Sequence, residues 1–278
     1  MKIKFLGTAS GEGIPALFCN CVMCKYARTY GKFDLRTPSQ TLINDDLLID
    51  LPAETLYHQN THNIDFSKIK YLLLTNNYPS NLHPYSLIQR SADNITEDLQ
   101  PLEIFGSMPS IDLIFDSLRK AGVNNGKTRW VLNEISPFNI LTVGNYKVTP
   151  LKANFEFRSY PYIYDIYTNN KRILFAQNTG LFLDETVNFL KNAKSYYSLV
   201  ILDCTKPCGK TDEQSFFMNI DGCRATKKML IENGNANDST VFVLTHFSHT
   251  STKTHADLEN KVKNDNFIIA YDGLEIRI

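Results

Sequence analysis

The sequence predicts an α/β fold in which layered sheets are covered by helices. Three observations predict it. Apolar strand-like segments bounded by turn residues recur along the chain, and helical periodicity is interspersed among them. No Pro/Gly/Ser-rich linker, low-complexity tract or repeat interrupts the 278 residues, so residues 1–278 are expected to form a single domain.

Each element has its own signal. Ile3 and Phe5 alternate with lysines, as in a half-buried edge strand. Residues 40–43, the turn Asn44-Asp45-Asp46 and residues 47–50 predict a hairpin, since Asn and Asp tolerate left-handed turn conformations. Residues 70–75 and 199–203 are apolar runs ending in a polar residue, the form of buried strands whose ends carry sites. Residues 146–151, 162–167 and 172–176 read as strands, the last two joined by Thr168-Asn169-Asn170-Lys171. Helices are predicted over 111–121, 184–193, 221–233 and 254–262, with Asp184 as an N-cap.

Composition narrows the function classes. With 29 acidic and 29 basic residues, the chain has no bulk charge to draw it to nucleic acid or membrane, so partners must be sought in local sites. No apolar run approaches the roughly 20 residues that span a bilayer, and the first residues lack a signal-peptide hydrophobic region. A cytoplasmic protein is expected. There, Cys204, Cys208 and Cys223 are expected as free thiols.

The strongest local signal is Phe18-Cys19-Asn20-Cys21-Val22-Met23-Cys24. Three thiols so close read as three ligands of a tetrahedral zinc, whose fourth donor must come from elsewhere in the chain. Residues 240–245, followed by His246-Phe247-Ser248-His249, offer the best candidates. The alternatives are a cluster of reduced thiols, or a disulfide with a spare cysteine.

Gly7-Thr8-Ala9-Ser10-Gly11-Glu12-Gly13-Ile14-Pro15, the cysteine cluster, Arg36-Thr37-Pro38-Ser39-Gln40, Leu48-Ile49-Asp50, the strand ending at Thr75, Ile201-Leu202-Asp203 and Leu244-Thr245-His246-Phe247-Ser248-His249 follow one another in a familiar order. This order resembles the metallo-β-lactamase superfamily, most closely the branch of the phosphodiesterase of the carbon–phosphorus lyase pathway, and runs almost end to end. A further likeness, to the pyrroloquinoline quinone synthesis protein of the same superfamily, is disfavoured by the residues from Gly13 to Cys19. The resemblance implies a four-layer αββα sandwich and a structural zinc held by Cys19, Cys21, Cys24 and His249. It also leaves a homodimer open.

The same resemblance implies a catalytic pair of metal ions, bound mainly by a His-x-His-x-Asp-His loop after the strand ending at Thr75. Here Asn76, Tyr78, Ser80 and Asn81 occupy those four positions, and Phe155 and Asn178 stand near two further ligand positions. Among the implied catalytic ligands His246 alone survives, and Phe217 replaces a histidine that many relatives carry. Hydrolytic metals need imidazole and carboxylate donors to lower the pKa of bound water toward about 7. Amides, a hydroxyl and a phenol do this poorly, so a catalytic Mn/Zn pair is not expected.

The remaining motifs carry less. His83 is out of register with the metal loop and reads as solvated or capping; His58, His62 and His255 read as surface residues. Residues 7–13 read as a turn, lacking the ending of a phosphate-binding loop, and residues 203–210 as a loop without chemistry. A Ser80–His246 nucleophile lacks a visible oxyanion hole. The polar residues at the strand ends form either a relic cleft or a pocket for a small polar or phosphorylated ligand, with Phe155, Phe157, Tyr160 and Tyr162 as aromatic walls. The expected function is a non-catalytic pseudoenzyme that binds a ligand or a partner; the rival is a phosphodiesterase-type hydrolase with an atypical site.

Overall fold

The computed structural model describes all residues except 92–93, 95–98, 124–128, 156–158 and 210–214. The first half of the chain lays down β1 (Lys2–Gly7), β2 (Gln40–Ile43), β3 (Leu47–Ile49), β4 (Tyr71–Leu73), β5 (Leu102–Gly106) and β6 (Trp130–Glu134). The second lays down β7 (Leu141–Val143), β8 (Tyr146–Lys152), β9 (Tyr162–Thr168), β10 (Lys171–Ala176), β11 (Leu199–Asp203), β12 (Val241–Thr245) and β13 (Phe267–Ile269), and β14 (Glu275–Arg277) returns to the first sheet. The two seven-stranded sheets run β14-β1-β2-β3-β4-β5-β6 and β13-β12-β11-β10-β9-β8-β7.

Strand alternation builds the layers. Ile3, Phe5, Ile49 and Leu73 of the first sheet pack against Ile166, Phe175, Ile201 and Val243 of the second, forming the central core. Their neighbours face outward. Leu42, Leu72 and Ile104 meet Ile114 and Leu118 of α3 (Met108–Lys120), while Val200, Leu202 and Leu244 meet α4 (Asp184–Ala193), α5 (Ile220–Glu232) and α6 (His255–Val262). Two further helices, α1 (Val22–Tyr30) and α2 (Thr55–His62), flank the N-terminal turn. The result is an αββα sandwich.

The hairpin expectations hold, with Asn44, Asn169 and Asn170 at positive φ in their turns. Other details differ. The first strand is interior because β14 covers its far side, a pairing between chain ends that local pattern does not reveal. Asp184 is the first helical residue rather than the cap; Leu183 holds the cap position, and Asp184 and Glu185 complement the helix dipole. Thr254 caps α6 through a capping box with Asp257. Among the described residues no helix is long and apolar enough to cross a membrane.

Candidate metal centre and strand-end cleft

Cys19, Cys21 and Cys24 lie where the N-terminal loop turns into α1. Cys21 is the N-cap of that helix, so its sulfur and that of Cys24, one turn on, are brought to the same side. The chain then travels to β12 and places His249 at the start of a 3₁₀ turn against them. Cys21 Sγ and Cys24 Sγ each lie 3.6 Å from His249 Nδ1. All four donor atoms fall within 4.8 Å of one another, and among the described residues this is the single such grouping of His, Cys, Asp or Glu.

These separations fit a tetrahedral zinc. Bond lengths of about 2.3 Å to sulfur and 2.0–2.1 Å to nitrogen require an S···N edge of about 3.6 Å. The thiols are also prepared for negative charge: the Ala16 N–H donates to Cys24 Sγ (3.3 Å), Cys21 N–H to Cys19 Sγ (3.4 Å) and Cys24 N–H to Cys21 Sγ (3.5 Å). Burial raises the Cys21 thiol, but hydrogen bonds from His249 and its cysteine neighbours bring it down to about 6, whereas burial lifts Cys24 to about 11. Crowded thiols titrate apart because each anion resists the next; a dication is what lets all three ionise together. Glu12 backs the site, with its carboxylate 3.9 Å from His249 Nε2 and accepting hydrogen bonds from Ser10 (2.6 Å) and Ser248. A carboxylate at Nε2 leaves Nδ1 facing the sulfurs.

The second locus is the row of strand ends. Asp50 directly follows β3, Asn178 lies two residues after β10 and His246 directly follows β12, each at positive φ. Asp50 is buried and accepts from Thr75 N–H (2.8 Å), Thr75 Oγ1 (2.8 Å) and Asn81 Nδ2 (2.8 Å). Burial pushes its carboxyl up to about 6, against those hydrogen bonds, which lower it. Asp203, at the end of β11, accepts from the Asn178, Thr205 and Met218 N–H groups. His246 Nδ1 lies 2.8 Å from Thr205 Oγ1 and 3.2 Å from Asp203 Oδ2.

The loop after β4 satisfies itself. Asn76 Oδ1 accepts from Tyr78 N–H (2.9 Å), its amide donates to Thr75 Oγ1 (3.2 Å), and the Ser80 hydroxyl donates to Asn81 Oδ1 (2.8 Å). Over it lies an aromatic cluster in which the Phe155 ring is 5.2 Å from Tyr78, 5.5 Å from Phe217 and 5.9 Å from Phe216. Asn178 Nδ2 is buried and finds no acceptor among the described residues.

Fold comparison identifies this arrangement. YhfI from Bacillus subtilis, a metallo-β-lactamase fold protein, matches over 99% of both chains with a TM-score of 0.68 at 18% identity. The chain has the metallo-β-lactamase fold. Zn²⁺-bound PqqB from Methylobacterium extorquens shares that fold over 100% of both chains, with a TM-score of 0.77 at 15% identity. A diphosphatase from the PhnP family does so over 99% of this chain and 97% of its own, with a TM-score of 0.71 at 13% identity. Comparison by sequence finds no matching family model and no matching curated protein.

Within the metallo-β-lactamase fold, the residues singled out from sequence form two groups. Cys19, Cys21, Cys24 and His249 converge; Asn76, Tyr78, Asn81 and Phe155 gather in one region, with Ser80 on Asn81. Asn178 and His246 are both linked to Asp203. Tyr162 is no cleft wall: it is buried between the sheets and donates to Ile135 O. Tyr160 is half exposed, and Phe157 lies outside the described residues. His58 and His255 are not surface residues; both are buried, His58 between Thr37 and Gln40 and His255 against Arg36. Their polar neighbours in sequence hide a face that packs inward. His83 occupies the cap position of the 3₁₀ turn Pro84–Arg90, its Nδ1 3.0 Å from Ser86 Oγ. The sequence marks Asp203 only as the polar end of a buried strand, and Asp50 and Glu12 only within longer motifs, because one acid in a loop or at a strand end has no spacing signature that assigns it a role.

Proposed function

We propose that this protein belongs to the phosphodiesterase-like branch of the metallo-β-lactamase superfamily, keeps one structural zinc on Cys19, Cys21, Cys24 and His249, and has lost the dinuclear centre. It then acts by binding a small polar or phosphorylated ligand, or a protein partner, through the strand-end cleft. The observation that carries this reading is the donor set there. Asn76, Tyr78, Ser80, Asn81 and Asn178 offer neutral groups, of which the Asn76, Ser80 and Asn81 side chains are already engaged with one another, with the neighbouring backbone or with Asp50, and Asp50 and Asp203 themselves accept from protein donors. Neutral oxygens ligate hard ions mainly beside several free carboxylates. The unpartnered Asn178 amide is the donor that a bound ligand would meet. Zinc on the cysteine cluster would close the N-terminal loop onto His249, a folding role in which all four positions are taken by protein.

Elemental analysis of the purified protein tests the reading. One zinc per chain is expected, and two or three metal ions per chain would sink it. The survival of Asp50, Asp203 and His246 in one region favours the rival, a hydrolase with an atypical site. Hydrolysis of bis(p-nitrophenyl) phosphate, abolished by His246→Ala, would establish that rival.

A further inference from the structure

The outer face of the first sheet holds a cavity separate from the strand-end cleft. Alternation turns Leu48 of β3, Leu72 of β4 and Leu102 of β5 toward the helical layer. α3 covers part of that face, but between α2, the 3₁₀ turn Phe66–Lys68 and the 3₁₀ segment Pro84–Arg90 the layer stays open. The result is a cavity of about 430 Å³, within the range of small-molecule sites. Leu48, Leu72 and Leu102 form its floor, and Leu56, Phe66 and Leu87 its walls. The hydroxyls around it are already engaged: Thr55 donates to Pro52 O, Ser67 to Asp65, and Ser86 meets His83. Water needs several polar partners to order in such a space, so the lining suits an apolar body.

Charge at the cavity has one sign. Among the described residues that line it none is acidic, whereas Arg90 and His83 are basic. Asp65, beside the lining, caps its own turn and pairs with Lys68. Arg90 is partly buried where β5 begins; its Nε donates to Arg129 O (3.3 Å) and its Nη2 to Gln100 O (2.8 Å). Both acceptors are neutral. Burial holds the guanidinium below its ordinary pKa, and among the described residues no carboxylate raises it again. We propose that this cavity binds a small monocarboxylate with an apolar body, its carboxylate on Arg90 and its chain over Leu102, Leu72 and Leu48 toward α2. The pair is a charge-assisted one, which a guanidinium makes well. One cation balances one negative charge, and the apolar walls leave the further oxygens of a phosphate dianion without donors. None of Asn76, Tyr78, Ser80, Asn81, Asn178 or His246 lines the cavity, so its occupancy does not depend on what the cleft holds.

Calorimetric titration of the zinc-loaded full chain with decanoate tests the assignment. A dissociation constant on the order of 10 μM is expected, with decanol, which keeps the chain and loses the carboxylate, about tenfold weaker. Arg90→Gln should weaken decanoate about tenfold and leave decanol unchanged. Leu56→Glu, at a wall position of α2 that is 53% exposed, should set an acid in the lining and weaken decanoate at least as much, with its melting temperature unchanged. A decanoate analogue with a diazirine in its tail should label residues 48–59 or 66–72 on irradiation. No binding at about 1 mM decanoate, equal affinity for decanoate and decanol, indifference to both substitutions, or labelling confined to the exposed residues 17–30 would overturn the inference. So would inorganic phosphate that displaces decanoate at equal concentration.

Discussion

At the scale of single residues, Asp50 has the clearest measurable consequence. In the unfolded chain its carboxyl keeps the ordinary value of 3.8, and in the fold burial raises it to about 6. Between those values the folded state holds the proton more tightly, so the contribution of Asp50 to stability is complete below about pH 4 and is lost as pH rises through about 6. The swing is about 2–3 kcal/mol at 1.4 kcal/mol per unit. Urea unfolding across pH 4–7 should show this decline, and Asp50→Asn should remove its slope whatever the variant's absolute stability. An identical slope in the variant would exclude Asp50 as its source.

Among the elements, α1 and its preceding loop depend on the cysteine cluster. Cys21 caps the helix, receives the Cys24 N–H and faces His249, so one side chain serves both helix and metal. Cys21→Ser should release zinc and lower stability by at least about 2 kcal/mol, a fall of roughly 5 °C in melting temperature for a chain of this size. Zinc release to a chromogenic chelator and thermal melts measure both. Retained zinc with an unchanged melting temperature would remove the cluster from the list of metal sites. The spacing of the three cysteines was legible because all three lie within six residues. His249 lies 225 residues from Cys24, so residue types could only narrow the fourth donor to His246 or His249, and resemblance selected between them.

Across the whole molecule, the two sheets are tied at the end that holds the cleft. The buried Tyr164 hydroxyl of β9 donates to Leu74 O after β4 (2.5 Å), and Tyr162 N–H donates to Thr75 O (2.7 Å). These bonds set the separation between the Asn76–Asn81 loop and the second sheet. Tyr164→Phe should leave the Leu74 carbonyl without that donor and lower the unfolding free energy by about 1–2 kcal/mol, with zinc content unchanged. Denaturant titration alongside metal analysis checks it; a neutral substitution would show that the tie carries no stability.

Sequence alone determined what depends on neighbours along the chain. The hairpin turns follow from asparagines that accept positive φ, the buried strands from continuous apolar runs, and the clustered thiols from their spacing. Tertiary structure decided what depends on distant segments meeting. It covered β1 with β14, buried His58 and His255, set Glu12 behind His249, and brought donors from the loops after neighbouring strands onto Asp50 and Asp203. The physical reason is that burial and hydrogen-bond satisfaction belong to packed surfaces rather than to sequence intervals. An aspartate at a strand end reads the same whether water, a metal or an asparagine occupies the space before it.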